Sequence, residues 1–147
     1  MKGMILMVHF VLGAKGSGKT KWLVDKANEE VKRGNGNIIF IDVDDKHIFN
    51  LDYSVRLVNA IEFNIKNIES FYGFLCGIIA RDYDVEKVYI DGIYKVLSLT
   101  AESISALTER LNHIGEKFDT KFYIGLDMNV EDIPEKYRGN CVELKLA

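Results

Sequence analysis

Eight residues near the start of the chain, Gly13-Ala14-Lys15-Gly16-Ser17-Gly18-Lys19-Thr20, set two glycines, a lysine and a hydroxyl residue at the spacing G-x-x-x-x-G-K-[ST], with a third glycine, Gly16, between them. Those residue types at that spacing suit one task, the wrapping of linked phosphates. Glycine carries no Cβ, so Gly13, Gly16 and Gly18 permit a backbone that turns successive N–H groups inward as an anion nest. Lys19 would bring an ammonium to the β- and γ-phosphates, and Thr20 a hydroxyl to the Mg²⁺ that bridges them. Ala14, Lys15, Ser17 and Lys21 complete the candidate nucleotide-contacting set. A chain of this length matches the pattern by chance on the order of one time in a hundred, so the flanks must be weighed as well.

Such a loop has to leave a buried strand and open a helix, whose positive N-terminal end then faces the phosphates. Upstream, Met4-Ile5-Leu6-Met7-Val8-His9-Phe10-Val11-Leu12 is apolar except at His9, and of strand length. A histidine in such a strand reads as a satisfied core residue rather than a metal ligand. Downstream, Trp22, Leu23, Ala27 and Val31 recur at helical spacing until Gly34-Asn35-Gly36 stops them.

The remaining chain keeps alternating. Asn37-Ile38-Ile39-Phe40-Ile41-Asp42 predicts a second buried strand, with Asp42, Asp44 and Asp45 at its exit. Residues 55–58 predict a short third strand. The next helix carries Ile68, Phe71, Tyr72, Leu75, Ile78 and Ile79 on one face, with Gly73 and Gly77 permitting close packing. Val85-Glu86-Lys87-Val88-Tyr89-Ile90-Asp91 predicts another strand, and Ile104, Leu107, Leu111, Ile114 and Phe118 another helix. Thr100 is its expected N-cap, and Gly115 is expected to loosen its end. Residues 121–126 and 141–146 predict two final strands, and Pro134 a turn or the start of a short helix. Alternation of this kind implies right-handed crossovers and a mostly parallel sheet with helices on both faces, a three-layer α/β sandwich. Ligands then bind beyond the carboxyl ends of the strands, where residues 13–20 lie.

Together the loop Gly13 to Thr20 and the strand ending in Asp91 resemble the P-loop NTPases, and the resemblance covers the whole chain in topology. It is closest to the additional-strand, RecA-like branch. More narrowly, the G-x-K-G-S-G-K-T wording and Ser54-Val55-Arg56-Leu57 are similar to small uncharacterised ATP-binding proteins of Gram-positive bacteria. The resemblance implies a Walker B role for Asp91, which would hold Mg²⁺ with Thr20 and act with Lys19 in catalysis. Asp42, which also ends a buried run, is the alternative. Many relatives in this superfamily carry a water-activating glutamate directly after the strand-terminal aspartate, and here that position is Gly92. Slow hydrolysis is the expectation. A polar residue closing the additional strand senses the γ-phosphate in that branch, which makes Asp127 a candidate, with Asn129 beside it. Arg138 could reach a phosphate from a lid, although a solvated loop explains it as well.

ATP is expected over GTP, since Asp91-Gly92-Ile93-Tyr94 is not a D-x-x-G switch and no N-K-x-D element occurs. The expected ligands are therefore ATP and Mg²⁺. Three functions fit: a slow ATPase or ATP-dependent switch, a non-hydrolysing nucleotide-binding module for a protein partner, and a small-molecule or nucleotide kinase. The arginines are scattered singly, which argues against a kinase lid.

Composition bounds the remaining partners. The 147 residues, 48% hydrophobic and 28% charged, suit one nucleotide-binding domain spanning 1–147 with an adequate core. A net charge of −3 argues against nucleic acid as a partner. Cys76 and Cys141 stand apart, outside any Cys/His cluster, and are expected to be free thiols in a reducing compartment. Residues 71–80 are too few to span a bilayer. Cleavage of a leader near Ala14 would destroy the loop, so a cytoplasmic location is expected. Phe71, Tyr72 and Phe74 with Ile78 and Ile79 are expected to pack the core, with a homodimer interface as the alternative.

Overall fold

In a computed structural model that describes residues 6–34, 36–43 and 50–145, the alternation resolves into one sheet of six parallel strands. These are β1 (Val8–Leu12), β2 (Asn37–Asp42), β3 (Arg56–Asn59), β4 (Val85–Asp91), β5 (Lys121–Leu126) and β6 (Cys141–Glu143), side by side in the order β3-β2-β4-β5-β1-β6. Three α-helices connect them, α1 (Lys19–Arg33), α2 (Ile68–Arg81) and α3 (Ala101–Phe118). Met4, Ile5, Asn35, Asp44, Asp45, His47 and Leu146 lie outside the described residues.

Strand periodicity of two gives each face of the sheet its own core. Val11, Ile38, Phe40 and Tyr89 pack with Leu23, Val24 and Ala27 of α1. Their alternates, among them Phe10, Leu12, Ile39, Ile41, Val88, Ile90 and Phe122, pack with Phe71, Leu75 and Ile79 of α2 and with Ile104, Leu107 and Leu111 of α3. Helices therefore cover both faces, and each such side chain buried contributes about 1.5–3 kcal/mol. The aromatic residues of α2 go to this core: Phe71 is fully buried, and Tyr72, Phe74 and Ile78 are partly covered against it. Cys76 and Cys141 are free thiols.

Under α1, His9, Tyr123 and Tyr89 stand in register on β1, β5 and β4 and stack with ring centroids 4.6 and 4.9 Å apart. The Nε2 of His9 is buried without a hydrogen-bond partner, so this histidine is not satisfied in the sense its position suggested. Burial, then the charges of Lys121 and Lys87, lower its pKa and keep the ring neutral.

The helix ends follow local chemistry. Helix α1 stops at Gly34, whose left-handed conformation (φ 67°) lets its N–H donate to Val31 O. Capping boxes of Asn67 with Ser70 and of Thr100 with Ser103 open α2 and α3, each cap being worth about 1 kcal/mol. Other expectations need correction. Strand β3 begins one residue later than the apolar pattern implies, because Val55 joins the α1-side core while its N–H donates to Asp52 O. Strand β6 ends at Glu143, although Leu144 still donates to Leu12 O at 2.8 Å. Gly115 does not loosen α3, which runs to Phe118. A Cβ there would stand 2.6 Å from Thr120 O and 2.7 Å from Met7 Cβ, so the glycine admits a close approach of backbone. Gly73 and Gly77, by contrast, have nothing within 4 Å of a Cβ and mediate no close packing.

Candidate functional site

All strands being parallel, Leu12, Asp42, Asp91 and Leu126 end on the same edge of the sheet. The glycine-rich loop leaves β1 there and enters α1 at Lys19. A turn forms where Ser17 N–H donates to Ala14 O at 3.0 Å. Gly16 (φ 83°) and Gly18 (φ 97°) are left-handed with open space around them, so conformation and not room demands glycine. Gly13 is glycine for the opposite reason, since a Cβ would collide with Ser17 Oγ and stand 2.9 Å from Leu144 O. Helix α1 has no side-chain cap and no acidic residue in its first turn. Its first turn thus presents N–H groups without a side-chain cap at the positive end of the helix dipole.

Lys19 is only 5% exposed. Its ammonium donates to Gly13 O at 2.7 Å and Ala14 O at 3.0 Å and lies 5.7 Å from the centroid of the Tyr94 ring. Burial lowers its pKa, while the carboxylates of Asp127 and Asp91 act in the other direction. Beside it, Thr20 Oγ1 donates to Asp91 Oδ2 at 2.8 Å, joining residues 71 apart in the chain. Strand β5 separates β1 from β4, and this contact crosses over it. Gly125 of β5 lies beneath the crossing: a Cβ there would crowd Leu23 Cδ1 at 3.2 Å and stand in ordinary contact, 3.7 Å, with Asp91 Oδ1. A glycine inside a strand is the sequence signal for such an approach, and it was not read as one. Asp42, the alternative, is as buried as Asp91 and its register partner, but its Oδ1 accepts from Val43 N–H at 2.8 Å.

Lys19 and Thr20 border an open cleft of about 1080 Å³. Lys15, Gly16, Gly18, Lys19, Thr20 and Lys21 line it from the loop and α1. Gly13 and Ala14 lie behind as acceptors for Lys19, and Ser17 Oγ is buried with no hydrogen-bond partner. Val24 and Asp25 continue the wall along α1 to Asn50, whose carbonyl accepts from Asn28 Nδ2 at 2.9 Å. Asp127 lines the cleft at the end of β5, whereas Asn129 opens the 3-10 turn Val130–Asp132.

After Asp91 the chain turns at Gly92 (φ 77°), where a Cβ would stand 2.7 Å from Val43 Cγ2. The following 3-10 turn, Ile93–Lys95, delivers Tyr94 and Lys95 to the cleft. Neither residue, nor Asn50, has a spacing signal in the sequence that marks it as a site residue. Arg138, the lid candidate, is not at the cleft: its guanidinium donates to Ile133 O at 2.8 Å and Glu131 O at 3.0 Å.

No cluster of three or more His, Cys, Asp or Glu able to hold a metal occurs among the described residues. The Thr20 hydroxyl and Asp91 carboxylate form a pair of hard oxygen donors at 2.8 Å separation. Such a pair fits Mg²⁺, which takes one or two protein oxygens and completes its shell with water and substrate phosphates. No helix among the described residues is long and apolar enough to cross a membrane. Compared with protein-family models and with curated proteins, the chain matches none.

Proposed function

We propose that this protein binds Mg·ATP in the cleft between the loop 13–20 and the end of β4, as a slow ATPase or an ATP-dependent switch of the P-loop NTPase class. The observation that carries the reading is the hydrogen bond between Thr20 and Asp91 beside a buried Lys19 ammonium. It unites three groups that a phosphate-and-magnesium site requires, from segments remote in the chain. The position of β5 between β1 and β4 supports the additional-strand, RecA-like branch.

In this reading the N–H groups of Gly16 to Thr20 and the open end of α1 hold the phosphates. Lys19 exchanges its two carbonyl acceptors for phosphate oxygens, and Thr20 and Asp91 would hold Mg²⁺, which would supply positive charge to offset that of the phosphates. ATP is preferred over GTP because the chain has no guanine-recognition element. Rapid turnover is not expected. The left-handed, crowded Gly92 leaves no place for a water-activating carboxylate directly after Asp91. The same geometry favours, as a second reading, a module whose bound state is read by a protein partner or a second copy of this chain. A kinase is disfavoured, since Arg138 is engaged by backbone carbonyls and Arg110 by Glu69 at 2.9 Å. A cytoplasmic location, where Mg·ATP is abundant, and no role for nucleic acid complete the proposal.

Calorimetric titration with a non-hydrolysable ATP analogue and Mg²⁺ tests it, with Lys19→Ala as the control. Binding that is lost in the variant is the expected result. No heat with the wild-type protein would remove the main support for the reading.

A further inference from the structure

Lys95 was singled out neither by the loop motif nor by strand-end chemistry, yet the fold aims it at the same cleft as Lys19. Two features place it. Its N–H donates to Gly92 O at 2.9 Å, closing the turn that follows Asp91. Its stem then passes over Gly92, with Cδ and Cε 3.7 and 3.9 Å from where a Cβ of residue 92 would stand. A lysine thus occupies the space into which a side chain at position 92 would begin to grow.

The charge balance of the cleft adds to this. The chain carries a net charge of −3, but Lys15, Lys19, Lys21 and Lys95 converge on one cavity. The carboxylates lining it are Asp25, paired with Lys21 at 2.7 Å, and Asp127, so four ammonium groups face two carboxylates. Lys95 is also close enough to Lys19 for its charge to help depress the Lys19 pKa, a smaller influence than burial. Ammonium groups held this near one another favour a ligand bearing several negative charges.

Resting on the nucleotide reading above, we propose that Lys95 is a phosphate-contacting residue that engages the terminal phosphate of a nucleoside triphosphate and lets the site tell triphosphate from diphosphate. Position decides which phosphate it meets. The loop and the N-terminus of α1 hold the inner phosphates, so the chain of phosphates extends toward Asp91, and Lys95 belongs to the turn just beyond that residue. A cation there neutralises charge on the outermost phosphate without activating water, which suits a protein that senses the triphosphate state more than one that consumes it.

The test is the affinity, by calorimetry with Mg²⁺, for a non-hydrolysable ATP analogue and for ADP in wild type, Lys95→Ala and Lys95→Arg. Loss of a charge-assisted contact should weaken the analogue about tenfold to a hundredfold in Lys95→Ala, leave ADP affinity nearly unchanged, and be largely rescued in Lys95→Arg. The melting temperature of each free variant, measured alongside, separates a change confined to the triphosphate from a loss of folding. Equal weakening of both nucleotides, or of neither, overturns the inference while leaving the nucleotide site standing. Wild-type protein that binds neither nucleotide overturns both.

Discussion

Strands β2 and β4 end alike in sequence and differently in consequence. Each is an apolar run closed by an aspartate, the two aspartates are register partners, and both are nearly inaccessible to solvent. They differ in the residue that follows, and at β4 the Thr20 hydroxyl reaches the carboxylate from α1. Asp42 is followed by Val43, which turns into the α2/α3-side core, and its carboxylate accepts the N–H of that valine. Asp91 is followed by Gly92 in a left-handed turn, and its carboxylate is met by Thr20 from the start of α1. A buried strand-terminal carboxylate is therefore not a site in itself. It becomes one where a second element brings a matching donor, as α1 brings the Thr20 hydroxyl to the end of β4.

The largest effect is expected from making the two ends more alike. Gly92→Glu restores an acid after Asp91, but it forces a side chain into a left-handed backbone, costing about 1–3 kcal/mol, and against Val43, costing about as much again. A loss of roughly 3 kcal/mol in urea-unfolding stability is expected, relieved in part when Val43→Ala is added. A variant as stable as wild type would mean that the turn does not exclude a side chain.

Next in size is the comparison of Asp91→Asn with Asp42→Asn. Only the first should abolish the gain in analogue affinity on adding Mg²⁺, a gain put at about tenfold or more, or about 1.4 kcal/mol. Removing metal with a chelator should cost wild type and Asp42→Asn that same factor and leave Asp91→Asn unmoved. If both aspartate variants lose the metal effect equally, the distinction between the strand ends is wrong. Thr20→Val should cost about 1 kcal/mol of stability by leaving the Asp91 carboxylate without its donor, and it should blunt the metal effect while Thr20→Ser retains it.

Much of this contrast could not be read from the sequence, although the elements themselves could. β2, β4 and β5 match the predicted strands residue for residue, because their carboxyl-terminal halves, buried on both faces of a parallel sheet, are nearly all apolar up to the closing residue. The loop was legible because its chemistry is local: Gly13 to Thr20 are consecutive. Val55 misled the placement of β3 because an apolar residue can serve a loop that folds over the core as well as a strand. Lys95 and Tyr94 were missed because a 3-10 turn aims side chains by backbone geometry that no spacing rule encodes. Arg138 was overvalued for the related reason that its partners are backbone carbonyls, which have no sequence signature.

The finest difference between the two strand ends is electrostatic and appears in the pH dependence of binding. Burial lowers the pKa of Lys19, and Asp127 and Asp91 are the carboxylates that oppose the shift. A bound polyanion requires the protonated ammonium, so affinity should be full below the Lys19 pKa of the free protein and fall as pH rises through it. That fall should begin on the acid side of the ordinary lysine range, because the folded pKa is depressed. Asp91→Asn removes one of the opposing carboxylates, depresses the pKa further and should move the fall to lower pH. Asp42→Asn should leave it where it is, and in Lys19→Ala the alkaline fall should be absent from whatever binding remains. Measured as analogue affinity against pH without metal, to separate this effect from Mg²⁺ binding, a common shift in both aspartate variants would mean that Lys19 senses net charge rather than the carboxylate at the end of β4.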